Sequence, residues 1–219
     1  MSGQTMAVEP ATVATRRHRA WLWFFCGGLL IGLAVAYTIQ LWRNFHVVVP
    51  GAVYRSAQLD ANGFEDAIGR YHIQTIINLR GENANAAWYR DECAVAEHSH
   101  IRHVDIPTDS VSLLTRDELH QLLAILDTPD AKPVLIHCQS GVNRTGIMAA
   151  MCVLLFEDVD GLAKARNQFR SAYGNFPWAD STRSCLAYLD RYGNWLDENH
   201  LSHTPERFRG WALANARVE

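Results

Sequence analysis

At 219 residues, 48% of them apolar and 20% charged, the chain has the composition of a folded protein with one ordinary domain plus extensions, not of a disordered one. A formal net charge of −3 excludes a dominantly basic nucleic-acid surface. The five cysteines (Cys26, Cys93, Cys138, Cys152 and Cys185) are odd in number, scattered and without a CxxC pair, which excludes a disulfide framework and a zinc-ribbon pattern.

Residues 1–19 are small, polar and basic, and are expected to be disordered. From Ala20 to Trp42 the chain reads "AWLWFFCGGLLIGLAVAYTIQLW", with no charge. As a continuous helix this would extend roughly 34 Å at about 1.5 Å per residue, enough for a hydrocarbon core of about 30 Å. Trp21, Trp23 and Trp42 stand near its ends, where amphipathic rings favour a membrane interface. The expectation is an uncleaved transmembrane helix over 20–42; a cleaved signal peptide ending near "AVA" at 34–36 is the rival. Arg16, Arg17 and Arg19 precede the run and only Arg43 follows closely. The charge asymmetry predicts a single-pass protein with a cytoplasmic N-terminus and its main domain on the far side.

After this run, "RNFHVVVPGAVYRSAQ" predicts a hairpin or two short strands around the Pro50-Gly51 turn. Asp60 opens a helix to about Tyr71, "TIINL" at 75–79 is a strand, and a helix over about 84–98 leads into the strand "IRHVDIP". Thr115 and Glu118 form a capping box before a helix whose buried face is Leu119, Leu122, Leu123 and Leu126. "PVLIHC" is the central strand, "RTGIMAAMCVLLFE" an interior helix, and further helices are expected over about 160–173 and 181–198. Alternating strands and helices predict an α/β fold with a central, largely parallel sheet flanked by helices. Residues 44–200 read as one domain. In the tail, 201–219, Thr204 and Pro205 open a possible helix around Phe208 and Trp211 that either packs on the domain or touches lipid.

In such a sheet, ligands bind beyond the carboxyl ends of the strands. The loop from Cys138 to Arg144 stands at such a place, between an apolar strand and an apolar helix. Successive amides entering a helix N-terminus make an anion cradle, and Gly141 allows backbone that a side chain would obstruct. Arg144 supplies a planar fork for two phosphate oxygens. The same field lowers the pKa of Cys138, so that it is a thiolate at neutral pH. A sulfur nucleophile beneath a bound phosphate is the layout for phosphoryl transfer.

The stretch "HCQSGVNRTG" at 137–146 resembles the HCxxGxxR(S/T)G signature of the protein tyrosine and dual-specificity phosphatase superfamily. "VYRSAQ" at 53–58 and "IINLRGE" at 76–82 resemble its compact bacterial members, here with a membrane anchor. The resemblance implies a phosphatase-type sheet and a cysteine-dependent phosphomonoester hydrolase. Cys138 would attack phosphorus and form a phosphocysteine. The amides of Gln139, Ser140, Gly141, Val142, Asn143 and Arg144, with the Arg144 guanidinium, would bind the phosphate oxygens. Thr145 would hydrogen-bond the thiolate, and His137 would fix the cysteine. No metal or cofactor is implied. The general acid is expected in the loop after the preceding strand: Asp109, beyond that strand, is preferred to Asp105 within it. The expected substrate is a phosphorylated protein. A membrane-lipid phosphate and a catalytically silent phosphate-binding module are the alternatives, and no nucleic acid is expected.

Arg55, Asn78 and Arg80 belong to the flanking motifs and either brace the loop or, for Arg80, touch substrate. Cys152 and Cys185 read as inert buried thiols. Cys93, His98, His100 and His103 cluster loosely, at spacings better explained by exposed histidines at a helix end than by a metal site.

Overall fold

The computed structural model describes residues 21, 23–35, 43–109 and 114–217, in two compact units, 1–42 and 43–219. In the first unit the helix over 23–35, α1, carries exposed Trp23, Phe24 and Phe25. Among the described residues no helix is long and apolar enough to cross a membrane. The expected single-pass span over 20–42, and the cytoplasmic N-terminus and far-side domain that followed from it, are therefore corrected. An uncharged run satisfies the composition of a span, but crossing also needs about 20 residues of continuous helix. Residues 20, 22 and 36–42 of that run lie outside the described ones.

Among the described residues of the second unit every strand is four residues long. They are β1 (His46–Val49), β2 (Val53–Ser56), β3 (Thr75–Asn78), β4 (Arg102–Asp105) and β5 (Val134–His137). The order across the sheet is β1-β2-β5-β3-β4, with β1 antiparallel to β2 and every other pairing parallel. The Pro50-Gly51 turn closes the β1–β2 hairpin, with Gly51 at φ 72°. Central β5 is buried on both faces, which is why it reads as an unbroken apolar run.

Side chains alternate between two cores. Val53, Ile77, Val134 and Ile136 face α4 (Arg116–Asp127), α5 (Asn143–Phe156), α7 (Asp180–Glu198) and α8 (Pro205–Asn215). Tyr54, Ile76 and Leu135 face α2 (Ala61–Tyr71) and α3 (Ala87–His98). At the carboxyl ends, Ser56, His137, Asn78 and Asp105 stand in one register row across β2, β5, β3 and β4. Alternation points this row toward the α2–α3 face and sends the next residue of β5, Cys138, the other way.

The caps are as the residue types dictate. Asp60 accepts from the Gly63 amide at the start of α2, and Thr115 and Glu118 form the full capping box of α4. Helix α6 (Gly161–Arg166) is shorter than the expected 160–173 and tightens into 3₁₀ turns at 167–169 and 171–173. There the chain turns inward and delivers Gln168 to a buried arginine, Arg55. Helix α8 packs into the larger core through Phe208 and Trp211, with Trp211 against Tyr188 and Tyr192 of α7.

Candidate active site

The β5–α5 loop is built around a glycine whose position leaves no room for a side chain. Gly141 has φ +68°, and a Cβ there would stand 2.6 Å from the Ala57 amide nitrogen and 2.7 Å from the Ser56 carbonyl. This close approach to the end of β2 folds the loop back over Cys138, which is 2% exposed. The Gly141 amide donates to Cys138 Sγ at 3.3 Å. Burial is the largest influence on the Cys138 thiol and pushes its pKa up. Thr145, through its hydroxyl and its amide, then the Arg144 charge and the Gly141 amide outweigh it, so the net shift is downward. The Thr145 hydroxyl is buried and meets no partner at conventional hydrogen-bond geometry among the described residues. Its influence on the sulfur is therefore electrostatic rather than that of a full hydrogen bond.

Three outer braces set the direction of the loop amides. The Gln139 carbonyl accepts from the Gln58 amide at 3.2 Å, and the Ser140 carbonyl accepts from Asn44 Nδ2 at 3.1 Å. The Gly141 carbonyl accepts from Asn44 Nδ2 at 3.0 Å and from Arg55 Nη2 at 2.7 Å. In a planar trans peptide the carbonyl and the following N–H point in opposite directions. Carbonyls held outward at 139, 140 and 141 therefore turn the amides of Ser140, Gly141 and Val142 inward, over the sulfur. Helix α5 begins at Asn143 with no side-chain cap and no acid in its first turn, so its N-terminal amides stay open to an anion.

Arg55 is fully buried and braces rather than binds. It donates to the Gln168 carbonyl and side-chain oxygen at 2.9 and 3.0 Å and lies 4.5 Å from the Tyr173 ring centre. Burial lowers its pKa to about 10, partly opposed by Tyr173 and Cys138, and it stays charged at neutral pH. Arg144 donates from Nη1 to the Leu79 carbonyl at 3.0 Å, which fixes the guanidinium beside the loop. The Thr108 amide reaches the same carbonyl at 3.3 Å, so the residue before Asp109 shares an anchor with Arg144. Asp109 itself is exposed, and residues 110–113 lie outside the described ones. Asp105 is committed elsewhere: it accepts from Asn78 Nδ2 at 2.7 Å and from the Tyr89 hydroxyl at 2.6 Å, on the α3 face.

His137, fully buried, packs edge-on against Phe64 and shares a hydrogen bond with Glu92 Oε1 at 2.8 Å. His103 meets the same oxygen at 2.8 Å, and Gln58 Nε2 donates to Oε2 at 2.7 Å. Burial pushes the Glu92 carboxyl up, but His103, His137 and Gln58 together bring it down to about 2, so it is ionised at any physiological pH. Arg80 lies 3.5 Å over the Trp88 ring and donates to Gln58 Oε1 at 2.7 Å. Burial, then the neighbouring Arg144, lowers its pKa. His98 and His100 are exposed whereas His103 turns inward, and among the described residues no group of three or more His, Cys, Asp or Glu is placed to hold a metal ion. Cys152 and Cys185 are buried thiols whose pKa burial raises to about 12 and about 11.

Sequence reasoning missed Asn44, Glu92 and Gln168, and gave Gln58 only as the last residue of the "VYRSAQ" motif, with no role. Only Glu92 left a signal: it occupies the apolar stripe of α3 with Val95 and Ala96, and a carboxylate on such a stripe demands buried partners. Asn44 and Gln168 act through folded geometry alone.

The family model described as a DSP-PTPase phosphatase fused to NAD+ kinase matches residues 46–172. The dual specificity protein phosphatase TpbA of Pseudomonas aeruginosa (strain UCBPP-PA14) is 26% identical over 182 residues, 83% of this chain and 71% of that protein. The crystal structure of P. aeruginosa TpbA is similar with a TM-score of 0.54 at 24% identity, covering 78% of this chain and 91% of that one. TpbA has also been crystallised in complex with pTyr. The catalytic core of the PP-IP phosphatase SIW14 from S. cerevisiae is similar with a TM-score of 0.51 at 22% identity, covering 72% and 93%. With the sheet order, the cradle and the matched family model together, the chain belongs to the dual-specificity group of the protein tyrosine phosphatase superfamily and is a phosphatase of that type.

Proposed function

We propose that the protein removes phosphate from phosphorylated protein side chains in two steps through Cys138. In the first, the thiolate attacks phosphorus while the inward amides and Arg144 hold the non-bridging oxygens. The P–O ester bond breaks, an S–P bond forms, and the leaving oxygen takes a proton from Asp109. In the second, water attacks the phosphocysteine and gives its proton to Asp109. The S–P bond breaks, inorganic phosphate leaves, and Thr145 and the Gly141 amide receive the restored thiolate. The observation that carries this reading is the buried Cys138 sulfur, shifted toward its thiolate beneath a ring of amides turned inward.

Asp109 takes the acid role because its neighbour Thr108 shares the Leu79 carbonyl with Arg144, whereas Asp105 is tied to Asn78 and Tyr89. His137 holds the strand end through Glu92. The loop side chains include no lysine, which disfavours a multiply phosphorylated inositol lipid. The lipid-phosphate alternative drew its weight from a membrane span that the described residues do not contain. The test is phosphate release by the reduced protein from an aryl phosphate and a panel of phosphotyrosine, phosphoserine and phosphothreonine peptides. Release by the wild type and none by Cys138→Ser is expected; equal release by both would refute the mechanism.

A further inference from the structure

Asn44 lies outside the motifs quoted above, two residues past the apolar N-terminal run, yet its side chain makes two contacts with the cradle, as many as Arg55 does. It is 5% exposed, and its Nδ2 is within hydrogen-bond distance of the Ser140, Gly141 and Tyr173 carbonyls at 3.1, 3.0 and 3.0 Å. An amide has two N–H groups for these three acceptors, so one bond is shared. His46 settles which way the amide faces. Its Nε2 stands 3.0 Å from Asn44 Oδ1, and burial, with Arg55 and Arg170, lowers its pKa, so a neutral ring donating to that oxygen leaves Nδ2 for the carbonyls.

We propose that Asn44 is a positioning residue of the catalytic loop, holding the Ser140–Gly141 and Gly141–Val142 peptides with their N–H groups turned toward the Cys138 sulfur. The inference rests on the assignment of Cys138 as nucleophile. Arg55 also holds the Gly141 carbonyl, but among the described residues Asn44 is the sole hydrogen-bond donor to that of Ser140. The peptide it controls is the one whose N–H reaches Cys138 Sγ at 3.3 Å. Glycine at 141 makes that peptide easy to rotate. Without Asn44 the Ser140 carbonyl is free to turn inward, where an oxygen dipole would oppose both the thiolate and the phosphate oxygens.

The same contacts could belong to a residue that merely fills and satisfies the core, and the two roles differ in what they do to the sulfur. Asn44 has φ +52°, so Asn44→Gly removes the side chain without backbone strain, and Asn44→Asp keeps size and acceptor but loses the donor. In the full chain, Cys138 is alkylated with iodoacetamide across a pH series and read by mass spectrometry of its peptide. Aryl phosphate hydrolysis and thermal unfolding are measured on the same samples. Both variants are expected to move the alkylation midpoint up by about one pH unit, the loss of a hydrogen bond to a charged group. They are expected to lower kcat/KM about 10²-fold, as loss of an oxyanion donor does. Variants that melt earlier but titrate as the wild type does would overturn the proposal and leave Asn44 a structural residue. A wild-type Cys138 that titrates as an ordinary thiol would overturn the nucleophile assignment, and the proposal with it.

Discussion

Replacing Gly141 by alanine tests the loop geometry with a single methyl group. The new Cβ would stand 2.6 Å from the Ala57 amide nitrogen and 2.7 Å from the Ser56 carbonyl carbon and oxygen. All three are backbone atoms of the chain leaving β2, so no side chain can rotate away. Ordinary contact begins near 3.4 Å, and the loop must rise by ~0.8 Å to reach it. A left-handed φ of +68° adds a cost of about 1–2 kcal/mol for any residue with a Cβ. With overpacking of about 1–3 kcal/mol, the destabilisation should reach ~3 kcal/mol, a fall in Tm of roughly 6–12 °C for a unit of this size. A displacement near 1 Å at the reacting centre costs about 10² in rate, and kcat/KM for an aryl phosphate should fall by that factor. Gly51→Ala is the internal control: Gly51 has φ +72° with nothing within 4 Å of the added Cβ, so it should lose only the ~1–2 kcal/mol of strain and keep its activity. Calorimetry and steady-state hydrolysis on both variants decide the matter. A Gly141→Ala protein that matches Gly51→Ala in both would refute the argument from close approach.

Two other substitutions address the acid and the buried carboxylate. Asp109→Asn should slow hydrolysis of an alkyl or phenyl phosphate about 10²-fold and of 4-nitrophenyl phosphate far less, because a good leaving group needs little protonation; equal losses on both would remove Asp109 from that role. Glu92 has a folded pKa of about 2 against an ordinary 4.5, so the unfolded chain binds more protons between these values. Its contribution is full above pH ~5 and is lost as pH falls toward ~2. Urea midpoints should show Glu92→Gln less stable at pH 7, by ~3 kcal/mol for a broken buried pair, with a flatter acid limb. An acid limb as steep as the wild type's would contradict the assignment of that proton to Glu92.

The parts of this molecule legible in the sequence are those set by local chemistry. The buried strand β5, the capping box of α4, the Asp60 cap and the Pro50-Gly51 turn each follow from a few adjacent residues and stand where they were expected. The loop motif located Cys138 and Arg144 together, because the residues of one short turn remain neighbours in space. What stayed hidden acts across long separations. Asn44 meets Ser140 from 96 positions away, and Arg55 meets Gln168 from 113. No periodicity records such a pairing. The inward bend at Gln168 that cut α6 short has the same origin, since a tertiary bond to Arg55 overrode local helix propensity. The expected membrane span was corrected for a different reason: it rested on the uncharged composition of 20–42 alone, and among the described residues no helix is long and apolar enough to cross a membrane.

The central claim is that phosphate passes through Cys138. Acid quenching of the reduced protein during steady-state hydrolysis of an aryl phosphate, followed by peptide mass spectrometry, tests this most directly, with Asp109→Asn used to slow breakdown of the intermediate. A phosphoryl group on the peptide carrying Cys138, absent in Cys138→Ser, is the expected result. Turnover with the adduct on another side chain, or in a Cys138→Ser protein of undiminished rate, would contradict it.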